Sequence, residues 1–246
     1  MVAGLGLVPW LSAFGPFPLG LSLAALEVML RMRKPSGVKV ELAGQILIAM
    51  PGMADPRFER SVIFVCAHSE DGAMGLVINK PMEDVTFAGL LQHLKIPVVA
   101  EGRDIRVLLG GPVERVRGFV LHSGDWWAQE GQAQEGRERT ARGQKSRAQR
   151  ADRTTLKVPG GLAMTATTDI LAALARGEGP DLALLALGYS GWGPGQLEAE
   201  IARNDWLTTP APEALVFDGD HGSKWKAALQ GMGIDPLSLS ATAGRA

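Results

Sequence analysis

Short apolar runs separated by turn residues fill the stretch from Gln45 to His122, and runs at helical spacing join them from Leu162 onward. Gln45–Met50 is a β-type run that Pro51-Gly52 ends, and Asp55-Pro56 marks a turn. Ser61–Ala67 (SVIFVCA) is continuously apolar and rich in β-branched and aromatic residues, the pattern of a strand buried on both faces. Ser69-Glu70-Asp71-Gly72 turns the chain back into Met74–Asn79, so the spacing predicts a hairpin. Phe87–Leu94 has apolar residues at helical spacing and ends near Pro97. Ile105–Leu109 and Gly118–His122 are two more expected strands about the turn Gly110-Gly111-Pro112.

The second half reads as strand Leu162–Thr165, helix Asp169–Arg176 and buried strand Leu182–Leu187. Helix Gly195–Asn204, strand Leu215–Phe217 and helix Gly222–Gln230 follow. Thr168 is the expected N-cap of the first of these helices and Gly177 its stop. Hairpins come first and β-α-β units later. No repeat period is visible, which argues against a solenoid.

Two segments break the pattern. Met1 to Val28 carries one charge, Glu27, and is followed by the basic Arg31-Met32-Arg33-Lys34. A signal peptide would need a basic region before the apolar run. A membrane span would need about 20 apolar residues, and Pro9, Pro16 and Pro18 interrupt this one. Residues 1–40 are therefore expected to be an extension that is disordered or not native, with Met29 or Met32 as the true start. A surface helix and a membrane anchor are the competing readings. The second segment, residues 130–153, has no aliphatic side chain larger than alanine and carries seven basic and four acidic residues. It lacks the apolar surface needed to offset ordering entropy, so a mobile charged insertion is expected. Residues 41–246 are otherwise expected to form one domain.

Composition narrows the chemistry. A net charge of −1 gives no global attraction for nucleic acid or anionic membrane, so a nucleic-acid role would have to come from the basic insertion. The single cysteine, Cys66, rules out an intrachain disulfide and cysteine-rich zinc sites. Lying in an apolar strand, it reads as packing rather than as a nucleophile. Neither a metal nor a cofactor is expected.

Several motifs compete with blander explanations. Gly188-Tyr189-Ser190-Gly191-Trp192 approaches a nucleophile elbow, but Trp192 stands where small residues normally let strand and helix meet. Gly191-x-Gly193-x-Gly195 has the wrong spacing for a dinucleotide fingerprint, and Pro194 removes an amide donor. His68 and His122 fall at strand ends, beside Ser69 and Ser123. They could meet as an acid–base pair with Ser123, or simply bond turn backbone. Asn79-Lys80-Pro81 can grip a phosphate or carboxylate, or guard a sheet edge. Gly110 and Gly111 permit close backbone approach. Tyr189 and Trp192 complete the set of ligand-binding candidates.

The segments GQILIAMPGMADPRFERSVIFVCAHSEDGAMGLVINKP, GGPVERVRGFVLHS and ALGYSGWGPGQLEAEI together resemble the YqgE/AlgH family of bacterial proteins. The resemblance runs through Met50-Pro51, Asp55, Phe58, Arg60-Ser61, Asn79-Lys80-Pro81, Gly110-Gly111-Pro112, Leu121-His122-Ser123, Gly188-Tyr189, Trp192, Gly195-Gln196-Leu197-Glu198, Glu200, Trp206 and Trp225. It implies an α+β fold: a branched mixed β-sheet that includes a small closed barrel, surrounded by helices. It also implies a cytoplasmic protein, some members being labelled transcriptional regulators, and it carries over no catalytic residue. The expectation is a non-enzymatic regulatory or binding protein with a protein or small-molecule partner. The alternatives are a hydrolase-type enzyme using the strand-end histidines, or a nucleic-acid binder using the insertion.

Overall fold

The computed structural model describes residues 41–99, 102–127 and 155–239. The expected extension over 1–40 and the charged insertion over 130–153 lie outside the described residues. Among the described residues there are nine strands: β1 (Gln45–Ala49), β2 (Val62–Ser69), β3 (Gly72–Val77), β4 (Val107–Leu109), β5 (Val113–Ser123), β6 (Thr155–Val158), β7 (Leu162–Thr165), β8 (Ala183–Trp192) and β9 (Trp206–Pro210). The described helices are α1 (Phe87–His93), α2 (Thr168–Ala175), α3 (Gln196–Ala202), α4 (Glu213–Phe217) and α5 (Lys224–Gly231).

The strands form one curled, branched sheet in the order β6-β7-β5-β8-β3-β2-β1-β9. All pairs are antiparallel except β4, which joins β8 in parallel, with Leu108 opposite Ala186. The branch lies on β8. Its first half pairs with β5 and β4, and Ser190–Trp192 pairs with Ala73–Gly75 of β3. Curling brings β6 back against β2, where Gly44 approaches Pro159, and the sheet becomes a half-barrel. This is the α+β architecture that the family resemblance implies.

The apolar pattern explains the layers. Along β2, Val62, Phe64 and Cys66 face the barrel interior, while Ile63 and Val65 face outward under Trp192, Leu197 and Trp206. Side chains alternate faces along a strand, so a run buried on both sides must be apolar throughout. A third cluster lies beneath α1 and α2, where Phe87, Leu91, Ile170 and Leu174 cover Val107, Val120 and Leu185. Fully burying each such side chain contributes about 1.5–3 kcal/mol before ordering entropy offsets it.

Three expectations need correction. Leu215–Phe217 is the end of α4, with Pro212 at its N-cap and Glu213 in its first turn, rather than a strand. The strand expected to end at Leu187 runs on through Trp192 as β8, because β3 and the start of β5 pair with it there. The N-cap of α2 is Thr167, one residue before the expected Thr168, and its hydroxyl makes no capping bond. Strands β6 and β9 were not anticipated. No described helix is long and apolar enough to cross a membrane.

Candidate functional site

The end of the β2–β3 hairpin and the loop between β1 and β2 form one unit. Beyond β3, Asn79 reaches across the opening between the strands. Its Oδ1 accepts from the Val62 amide at 2.8 Å, and its Nδ2 donates to the Arg60 carbonyl at 2.9 Å. Lys80 donates from Nζ to the Arg57 carbonyl at 2.7 Å. Half-buried, it has its ammonium pushed below the usual lysine range by desolvation, with Glu59 and Asp55 opposing the shift. Both side chains thus tether the backbone of loop 51–60. Within that loop Asp55 caps the short 3-10 turn Pro56–Phe58 and binds the Arg57 guanidinium, the closest contact being 2.6 Å. That guanidinium holds the Asp55 carboxyl below the ordinary carboxylate range. Gly52, Ala54, Arg57, Glu59 and Arg60 remain exposed.

The turn at Gly110 abuts this unit. The Leu109 amide donates to the Lys80 carbonyl, and the Val77 amide to the Gly110 carbonyl, each at 2.8 Å. A Cβ on Gly110 would sit 2.2 Å from the Gly188 carbonyl oxygen, and one on Gly111 2.2 Å from the Tyr189 carbonyl carbon. Gly188 itself needs φ +75° and lies under the Gly111 and Val113 carbonyls. These glycines let two backbones cross in contact, which is a packing role. Beside the crossing, Tyr189 packs edge-on against Phe119 with centroids 5.7 Å apart. Burial raises its phenol pKa, and Glu114 adds to the effect. The expected set Asn79, Lys80, Gly110, Gly111 and Tyr189 is therefore contiguous.

Trp192 stands apart, on the outer face at the far end of β8. Its indole Nε1 and that of Trp206 both donate to Oε2 of Glu200 at 2.8 Å. Gln196 donates to the other oxygen at 2.9 Å. The two indoles meet edge to face with centroids 6.2 Å apart. Next to them His68 accepts the Leu42 amide at Nδ1, so its Nε2 donates to Glu198, 3.0 Å away.

His68 and His122 do not meet. His122 pairs with Ala183 at one end of β8, while His68 pairs with Ala73, which pairs with Trp192 at the other end. The ten residues of β8 separate them by roughly 30 Å at the rise of a strand. His122 is fully buried. Its Nδ1 donates to the Ser123 carbonyl at 2.7 Å, so its Nε2 accepts from Thr165 at 2.9 Å, and Thr155 supports Thr165 at 2.8 Å. Burial lowers its pKa, against the pull of the Ser123 carbonyl and Asp125. The Ser123 hydroxyl accepts the Leu182 amide at 3.0 Å. Cys66 is buried, and desolvation drives its thiol far above the ordinary range. Among the described residues, no three or more His, Cys, Asp or Glu side chains are grouped to hold a metal ion.

Sequence reasoning missed the α5 side of this end. Trp225 donates from Nε1 to the Ala49 carbonyl at 2.9 Å, and the Arg60 guanidinium lies 5.8 Å from its ring centroid. Lys224 is fully buried, and its Nζ donates to the Val216 carbonyl at 2.7 Å. Desolvation pushes its pKa down to about 8, with Asp218 opposing. His221 has a buried Nδ1 with no hydrogen-bond partner among the described residues. Burial and the Lys224 charge lower its pKa, while a hydrogen bond to Ile78 opposes them. Arg60 and Trp225 both stand among the residues that carry the family resemblance, but nothing local in the sequence links Trp225, Lys224 or His221 to Arg60 or Ile78.

The profile of the AlgH-like family matches residues 46–237. A UPF0301 protein of Cereibacter sphaeroides strain ATCC 17029 is 58% identical over 207 residues, which cover 84% of this chain and 100% of the relative. The solution structure of the AlgH protein from Pseudomonas aeruginosa is 38% identical, with a TM-score of 0.60 over 87% of this chain and 100% of that one. A crystal structure of a Corynebacterium diphtheriae protein shares the fold at 21% identity, with a TM-score of 0.56 over 87% of this chain and 97% of that one. The chain belongs to the AlgH-like family, and its curled α+β sheet is the fold of that family.

Proposed function

We propose that this chain is a cytoplasmic, non-enzymatic binding protein with a regulatory role, and that loop 51–60 is its recognition element. The observation that carries this reading is the use made of Asn79 and Lys80. Both polar head groups bond the backbone of that one loop, while its own side chains at Arg57, Glu59 and Arg60 stay exposed. Asn79 and Lys80 are positioning residues on this reading, with Gly110, Gly111 and Tyr189 bracing the strand ends behind them. Recognition elements on a rigid scaffold commonly sit on such tethered loops. A transcriptional role would then act through a bound partner or ligand.

The test is affinity capture from native cells with wild-type and Lys80→Ala chains, with melting midpoints measured in parallel. The expected result is a discrete partner or metabolite held by the wild type and lost by the variant at a closely similar midpoint. Equal capture by both chains would refute the role assigned to the loop.

A further inference from the structure

Arg60 combines four features that a solvated surface arginine does not need. Its backbone is left-handed at φ +51°, a conformation that a long L side chain rarely adopts. Its carbonyl is pinned by Asn79, which holds that conformation in place. Its guanidinium lies over the Trp225 ring, and Trp225 is itself fixed by its bond to the Ala49 carbonyl. Finally, Arg60 is exposed, and no carboxylate among the described residues forms an ion pair with it. Neighbouring Arg57 differs on this last point, because Asp55 occupies its guanidinium.

Each feature has a physical consequence. A guanidinium laid on an indole has lost much of its rotamer freedom before any ligand arrives, so less entropy remains to be lost on binding. Its fork of N–H donors matches the paired oxygens of a carboxylate or phosphate. The two lysines next in sequence to its supports are engaged elsewhere: Lys224 donates to the Val216 carbonyl and Lys80 to the Arg57 carbonyl, so Arg60 itself supplies the free donors.

We propose that Arg60, held on Trp225, binds an oxyanion group, a phosphate or a carboxylate, of a ligand that docks on loop 51–60. This rests on the reading of the loop as the recognition element and names the chemistry that the loop takes. Arg60 supplies the donors, Trp225 the platform, and Asn79 the backbone conformation that puts one over the other.

The test is a nuclear magnetic resonance titration of the ¹⁵N-labelled full chain, following the Arg60 Nε–H and Trp225 Nε1–H signals. One arm adds sodium phosphate and the other sodium acetate, each against sodium chloride at equal ionic strength. The expected result is a saturable shift of both signals in at least one arm, and the arm that saturates identifies the anion. Arg60→Gly suits the required backbone angle, so the fold is retained and the saturable response of Trp225 should vanish. Arg60→Lys keeps the charge without the fork and should bind several-fold more weakly. Linear shifts indistinguishable from chloride in both arms would overturn the proposal, as would a Trp225 response that survives in Arg60→Gly. Such a failure leaves the cell-capture result standing, so the two readings fall separately.

Discussion

Two clusters rich in residues shared with the family touch through the edge-to-face rings of Phe58 and Trp206, 5.6 Å apart, yet treat their polar atoms in opposite ways. Around Glu200, both indole N–H groups, the Gln196 amide and both carboxylate oxygens are used within the protein. Around Asn79 and Lys80 the internal bonds go to main-chain atoms, and the loop they hold turns charged side chains outward. A cluster whose donors and acceptors are all matched internally stabilises the fold. A cluster that fixes a backbone and leaves charged side chains exposed is arranged for something outside the chain. The difference separates structural residues from recognition residues, which resemblance alone lumps together.

The largest effect should come from Glu200→Ala, which strands two indole donors, those of the buried Trp192 and Trp206. Leaving a buried donor unsatisfied costs about 1–3 kcal/mol, so the pair should lower unfolding free energy by roughly 2–6 kcal/mol in a denaturant titration. A loss below about 1 kcal/mol would show that the knot is dispensable.

The buried Lys224 gives the next effect. Its pKa is about 8 in the folded protein against an ordinary 10.5. Between those values the unfolded chain still holds a proton that the folded chain has released, so stability should rise with pH across that window. His221 and His122, lowered from 6.5, should add a rise of the same sign as pH climbs toward 6.5. Lys224→Met should flatten the alkaline rise in equilibrium denaturation while leaving the acid side in place.

Asn79→Ala should cost about 1–3 kcal/mol, because it orphans the Val62 amide and the Arg60 carbonyl together. Hydrogen exchange should then quicken in loop 51–60 and at Val62 before the rest of the sheet. Lys80→Ala should have the smallest effect on stability, within about 1 kcal/mol, since one partly exposed hydrogen bond is lost. Its exchange signature should be confined to the loop. If Lys80→Ala instead destabilised the chain as much as Glu200→Ala, the distinction between the two clusters would disappear.

What could be read from the sequence follows from how local each signal is. The run SVIFVCA declares β2 on its own, and Ser69–Gly72 with Met74–Asn79 declares the hairpin, because period, composition and turn chemistry agree within a few residues. Leu215–Phe217 misleads because three apolar residues fit either a strand or a buried helical turn. Pro212 and Glu213, both helix-start residues, were the overlooked signal. Strand β9 hides behind Thr208-Thr209-Pro210; proline is tolerated there because β9 is an edge strand. Asn79 and Lys80 were legible as candidates, but their partners, 17 to 23 residues away in the chain, were not. The His68–Glu198 bond spans 130 residues. No periodicity encodes such a contact, since the curl of the sheet creates it.

The central claim is that loop 51–60 recognises a partner while the Glu200 knot only holds the fold. The most direct measurement compares capture from cell extract by the wild type, an Arg57→Ala/Arg60→Gly double variant and Glu200→Gln, at a temperature where all three are folded. The account predicts that the loop variant loses its partner at a nearly unchanged melting midpoint, and that Glu200→Gln keeps its partner at a lowered one. The reverse pattern, with capture lost by folded Glu200→Gln and kept by the loop variant, would contradict it.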